Sequence, residues 1–130
     1  MAVALAPLLI DTDVLIDYLR GQAAAVAYLE NLTEPLLISA ITVAELYAGV
    51  REGTERQALE SFVAAFEVVA ADETIAREGG LYRRDYGKSH SVGLADALIA
   101  ATAEVRGATL VTLNQKHFPM LAAVTVPDTK

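Results

Sequence analysis

Short apolar runs recur along this chain, each too brief to be a helix and each followed by a stretch with helical spacing. Leu8-Leu-Ile10, Leu36-Leu-Ile-Ser39, Glu67-Val-Val-Ala70 and Thr109-Leu-Val-Thr112 are such runs. Apolar continuity without alternation marks strands buried on both faces, the environment of a parallel sheet covered by helices. Between the runs, helices are expected from Val14 to Arg20, Gln22 to Asn31, about Thr42 to Val50, Thr54 to Phe66, Asp72 towards Tyr86 and Leu94 to Arg106. A helical turn near Gln115 to Met120 and a last strand at Val124 to Val126 complete the pattern. Strands alternating with helices predict an α/β fold with a mostly parallel central sheet. Gly21 and Gly107 stop two helices, Glu34-Pro35 marks a turn, and Asp72 is placed to cap the fifth helix. Gly79-Gly80 weakens that helix by roughly 1 kcal/mol per glycine.

A chain of 130 residues with no repeat or low-complexity tract reads as one domain, 1–130. Its hydrophobic fraction of 54% fits a filled interior, and the absence of cysteine excludes disulfides and thiolate metal sites. Met1 to Ile10 lacks the basic start of a signal peptide, and no apolar run approaches the length of a bilayer span. A soluble, cytoplasmic protein is expected, with no membrane partner. The net charge of −7 disfavours direct binding of phosphates and, taken alone, favours a basic protein partner. A divalent cation that bridges carboxylates to phosphate removes that objection, so composition leaves the substrate open.

In parallel α/β sheets, ligands bind beyond the carboxyl ends of the strands. Here the first strand ends in Asp11, the second leads through Ser39 to Glu45, and the fourth leads through Thr112 to Asn114. Asp96 occupies the first turn of the apolar helix Leu94-Ala-Asp-Ala-Leu-Ile-Ala-Ala101. Three carboxylates gathered together repel unless something neutralises them. A hard cation such as Mg²⁺ or Mn²⁺ does so with oxygen ligands alone, and supports in-line attack on a phosphodiester. No Ser-His-Asp ordering, glycine-rich phosphate loop or Cys/His cluster competes for this role.

Each acid also has a plainer explanation. Asp11 suits the cap of the helix near Val14, although Asp13 fits better as the plain cap, with a supporting place at the site. Asp96 is favoured by the helix dipole, yet a charge among buried positions calls for a partner. Thr42-Val-Ala-Glu45 has the form of a capping box, in which Glu45 reaches back to the cap's backbone. His117 could donate a proton to a leaving oxygen but reads first as a solvated residue on an exposed turn, and Arg83, Arg84 and Lys88 could meet phosphates but read first as the wet face of a helix. Phe62, Phe66 and Tyr82 read as core or interface.

The segments Leu9-Ile-Asp-Thr-Asp-Val-Leu-Ile-Asp17, Ile38-Ser-Ala-Ile-Thr-Val-Ala-Glu-Leu-Tyr-Ala-Gly49, Ala95-Asp-Ala-Leu-Ile-Ala-Ala-Thr-Ala103 and Leu110-Val-Thr-Leu-Asn-Gln-Lys-His-Phe118 resemble PIN domains, and more closely the VapC-type toxin ribonucleases of prokaryotic toxin–antitoxin pairs. The likeness spans nearly the whole chain, in matching order and spacing. It implies a three-layer α/β/α sandwich, Mg²⁺-dependent RNA cleavage, a homodimer and inhibition by a cognate VapB-type antitoxin. Asp11, Glu45 and Asp96 match the acidic positions, with Asp11 and Asp96 as metal ligands. Thr112 and Asn114 match the Thr-x-Asn/Asp element beside the site. Asp13 stands where the family often has Asn, and Asn114 where some relatives have Asp, which bears on a second metal. The expected activity is endoribonucleolytic: water activated on Asp11 and Asp96, held by Glu45, with a hydrogen bond from Asn114. Alternatives within the same fold are a nuclease of RNA maturation or decay and a catalytically silent binding protein. Three intact acids favour an enzyme.

Overall fold

All four apolar runs become strands of one sheet in the computed structural model, which describes residues 6–127, so that Met1 to Leu5 of the N-terminal stretch lie outside it. The strands are β1 (Leu8–Ile10), β2 (Leu36–Ser39), β3 (Glu67–Val69), β4 (Thr109–Val111) and the short β5 (Val124–Thr125). The helices are α1 (Thr12–Leu19), α2 (Ala23–Glu30), α3 (Ala40–Ala48), α4 (Thr54–Val63), α5 (Glu73–Tyr86) and α6 (Leu94–Arg106), with a 3₁₀ turn at Gln115–His117. The strand order is β3-β2-β1-β4-β5, and every pairing is parallel.

Alternate residues of the central strands face opposite layers. Leu9, Leu37 and Leu110 pack with Ile75, Ile99 and Phe118 on the side of α5 and α6. Leu8, Ile10, Ile38 and Val111 pack with Val14, Leu15, Leu29, Leu46 and Leu59 on the side of α1 to α4. Apolar positions on both faces explain why the strands read as continuous apolar runs, and the result is a three-layer sandwich. Phe62 and Phe66 pack against the second cluster and Tyr82 against the first, as expected.

Local chemistry sets the ends of the helices. Asp72 caps α5, accepting the Ile75 N–H at 3.0 Å, and Gly107 closes α6 in the left-handed conformation at φ 61°. The cost of Gly79 has a packing reason: a Cβ there would lie 2.6 Å from Leu98 Cδ2 and 3.1 Å from Leu98 Cα. Glycine at this position lets α5 approach α6 closely at Leu98.

Two expected caps are corrected. α3 starts at Ala40 because Ser39, extended at the end of β2, accepts the Ile41 N–H at 3.0 Å. Thr42 is therefore a buried residue inside the helix, and Thr42-Val-Ala-Glu45 is not its capping box. At α1 the cap is Asp11, accepting the Thr12 N–H at 2.8 Å, while Asp13 lies in the first turn. Among the described residues no helix is long and apolar enough to cross a membrane.

Candidate active site

The strand order reverses direction at β1: the chain runs outward through β2 and β3, then returns to place β4 on the other side. Carboxyl ends beside such a switch point form a crevice. β1 delivers Asp11 into it, β4 delivers Thr112, and the first turn of α6 delivers Asp96.

Asp11 is only 5% exposed, yet both its oxygens are occupied by donors. Oδ1 accepts from the backbone of Thr12, and Oδ2 accepts the Thr112 hydroxyl at 2.7 Å. Asp13 Oδ2 accepts the Leu113 N–H at 3.1 Å and lies 3.3 Å from Thr112 Oγ1. The hydroxyl has one proton, which the shorter contact takes, so Asp13 depends on the backbone of Leu113. Its other oxygen, Oδ1, is buried and has no hydrogen-bond partner.

Burial pushes the Asp11 carboxyl up to about 7. The negative Asp13 adds to that rise, hydrogen bonds from Thr112 and Thr12 oppose it, and Asp96 adds a further push. Asp13 is raised too, mainly by burial, with the Leu113 N–H pulling against it. Asp96 is thus near enough to act on Asp11 through space. Among the described residues, however, no three His, Asp or Glu side chains stand as a ready-made cage.

Glu45 joins the site indirectly. It is exposed at the crevice mouth, and its Oε1 accepts the Thr12 hydroxyl at 2.6 Å. Thr42 Oγ1 lies 3.0 Å from the same hydroxyl oxygen. The relay Thr42, Thr12, Glu45 replaces the expected capping box and gives buried Thr42 its partner. Thr12 was missed as a supporting residue, although its place between two candidate acids was a signal.

His117 was underrated as well. It is half-buried, with Nδ1 3.1 Å from Asp96 Oδ2 and 2.9 Å from the Asn114 amide. Nδ1 does not accept from Asn114 and donate to Asp96 at once; beside a carboxylate the Nδ1–H form is favoured, with the Asn114 carbonyl turned towards it. Asn114 and His117 stand three apart in a 3₁₀ turn, a spacing that places side chains over one another and was legible in the sequence. The Asn114 backbone N–H in turn donates to Thr112 Oγ1 at 3.0 Å. The structure therefore links Asp11, Asp13, Thr112 and Asn114 directly, Asp96 through His117, and Glu45 through Thr12.

The donors suit a hard divalent ion. All are oxygen, one buried carboxylate oxygen lacks a partner, and the Asp11 charge has no counter-ion among the described residues.

Comparison with known proteins shows what the chain as a whole is similar to. The PIN domain family model matches residues 8–123. The chain is 45% identical to ribonuclease VapC10 of Mycobacterium tuberculosis over 92% of both chains. It is 44% identical to ribonuclease VapC19 of the same organism, over 92% of this chain and 98% of the other. Among solved structures, a toxin–antitoxin complex from Klebsiella pneumoniae superposes with a TM-score of 0.81 at 29% identity, covering 94% of this chain and 98% of its own. FitAcB from Neisseria gonorrhoeae gives 0.73 at 33% identity, covering 94% and 97%.

Proposed function

The chain belongs to the PIN domain family, and from that premise we propose that it is a divalent-metal-dependent endoribonuclease, the toxin of a VapBC-type pair, acting in the cytoplasm as a homodimer. The observation that carries this is Asp11: a buried carboxylate at the switch point, raised to about 7 by burial and by its acidic neighbours, whose ionised form a bound cation would stabilise. The names of relatives at 44–45% identity support ribonuclease as the activity.

Asp11 and Asp96 are the residues to hold Mg²⁺ or Mn²⁺. Bound there, such an ion supplies charge stabilisation for a phosphodiester under in-line attack and makes water more acidic. The remaining work falls to the chain. Thr112 and the Thr12 backbone hold Asp11 in one orientation, and His117 does the same for Asp96. Glu45, steered by the Thr12 hydroxyl, takes a proton from the attacking water. The Asn114 side chain, at the same rim, donates to a phosphate oxygen.

Inhibition by a VapB-type antitoxin suits a second feature. Between α1, α3 and α4 lies a groove of about 470 Å³ whose apolar walls include Ile16, Leu46 and Leu59, with Glu45 and Glu55 on its rim. An antitoxin segment with an apolar face and a basic residue matches that surface.

The test is cleavage of total RNA by purified protein with Mg²⁺ or with chelator, the new ends being sequenced. Defined ends from the wild type, absent with chelator and from Asp11→Asn and Asp96→Asn, are expected. Undiminished cleavage by both variants would overturn the assignment.

A further inference from the structure

Three of the chain's ten Lys and Arg residues fall within six positions, at Arg83, Arg84 and Lys88, in a protein of net charge −7. Arg84 pairs with Asp85 at 2.8 Å, but among the described residues Arg83 and Lys88 form no ion pair. Among the described residues Arg20, Arg51 and Lys116 are unpaired as well, so what singles out Arg83 and Lys88 is where they stand.

Their position is fixed by the α5–α6 hairpin. α5 ends at Tyr86, α6 begins at Leu94, and Gly79 packs on Leu98, so the two helices run side by side in opposite directions. The end of α5 therefore lies beside the first turn of α6, which carries Asp96. Arg83 is one turn beyond Gly79 on the same stripe and so faces the α6 side. Its guanidinium lies across Gly87, where a Cβ would stand only 1.7 Å from Nη1. The φ of Gly87, −58°, is open to any residue, but a Cβ there would also lie 2.5 Å from the Arg83 carbonyl oxygen, so glycine is needed for space and Arg83 rests in the room it leaves.

The turn that follows is held rather than loose. His90 N–H donates to the Tyr86 carbonyl at 3.0 Å, and the His90 ring meets the Tyr86 ring edge to face at 5.8 Å. Ser91 sits at φ 54°, the left-handed region that non-glycine residues avoid. Lys88 rides on this braced turn and is exposed.

We propose that Arg83 and Lys88 form a phosphate clamp for the RNA strand, gripping backbone phosphates next to the scissile one. The clamp rests on the ribonuclease assignment above, since its occupant is that substrate. Charge complementarity selects the occupant: the acids at the crevice repel a polyanion, and these free cations beside Asp96 draw it in.

The probe is a fluorescein-labelled pool of random 20-nucleotide RNA, its binding followed by anisotropy in Ca²⁺ across a KCl series. Cleavage of the same pool is scored in Mg²⁺. Arg83→Gln with Lys88→Gln should raise Kd about tenfold at 0.1 M KCl. The slope of log K against log salt should become shallower by about 1.4, roughly 0.7 for each phosphate contact removed. Arg51→Gln, a charge loss in the loop between α3 and α4, should leave that slope at the wild-type value. The swap Arg83→Lys with Lys88→Arg keeps both charges and should keep the slope, separating charge from any loss of fold. A wild-type slope in the double glutamine variant, with wild-type protein cutting RNA, removes the clamp and leaves the ribonuclease standing. A wild-type protein that neither binds nor cuts the pool removes both.

Discussion

Asp11→Asn should stabilise the protein at high pH while ending its activity. The rise of the Asp11 carboxyl from 3.8 to about 7 means that the folded state holds this proton more tightly than the unfolded chain does. Between those values the folded state carries the extra proton, so wild-type stability falls as pH rises. Each pH step costs about 1.4 kcal/mol until pH 7, where the loss levels off near 4 kcal/mol in total. At pH 5 more than a third of it is already present. Asparagine does not titrate, and its amide finds the same neighbours: the carbonyl accepts from Thr12, and the Thr112 hydroxyl turns towards Asp13 Oδ2, 3.3 Å away. The hydrogen-bond cost of the change is then much the same at every pH and cancels from a comparison across pH. From pH 5 to pH 8 the variant should gain roughly 3 kcal/mol on the wild type, or about 10 °C in Tm for a domain of this size. Urea unfolding with chelator, at both pH values, measures the difference directly. Adding Mg²⁺ at a hundred times its Kd should return about 2.7 kcal/mol to the wild type and nothing to the variant. A stability gap that stays constant from pH 5 to pH 8 would refute the idea that Asp11 is an uncompensated buried charge.

Further outcomes follow from the same geometry. Glu45→Gln should lower cleavage about a hundredfold with little change in melting, because the side chain is exposed and caps nothing; initial rates and melts check both halves. Ser39→Ala should cost about 1 kcal/mol in urea unfolding through the lost cap of α3, with cleavage per folded molecule retained. Gly79→Ala should destabilise by about 1–2 kcal/mol in the same assay, since overpacking against Leu98 outweighs the helix propensity gained.

Much of this was legible in the sequence. The runs located β1, β2, β3 and β4 to within a residue; burial on both faces explains this for β1, β2 and β4, whereas β3, at the sheet edge, exposes Glu67 and Val68 and was marked by its short Val-Val core. Gly107 and Asp72 marked helix ends because their roles are local. What misled was the choice between neighbouring cap formers. Ser39 and Thr42 both suit a cap, as do Asp11 and Asp13, and the competing positions differ in which one the strand end leaves extended. That is settled by the sheet, not by propensity. The same limit hid the links at the site. Asp11 meets Thr112 across 101 positions, and Asp96 meets His117 across 21, so no local pattern signals either contact. Arg83 and Lys88 likewise read as solvated charge until α5 is seen to end beside Asp96.

The seating of β4 against β1 has a bearing on how the protein is made. Asp11 leaves the ribosome well ahead of its partners, since Asp96 is 85 positions and Thr112 101 positions behind it. At about 5–20 residues per second, roughly 4–17 s pass before Asp96 is even synthesised, and longer before Thr112 can reach Asp11. Until then the crevice has one wall. A nascent chain of this design has no complete crevice, however long translation pauses before α6, and a product truncated there lacks both Asp96 and Thr112.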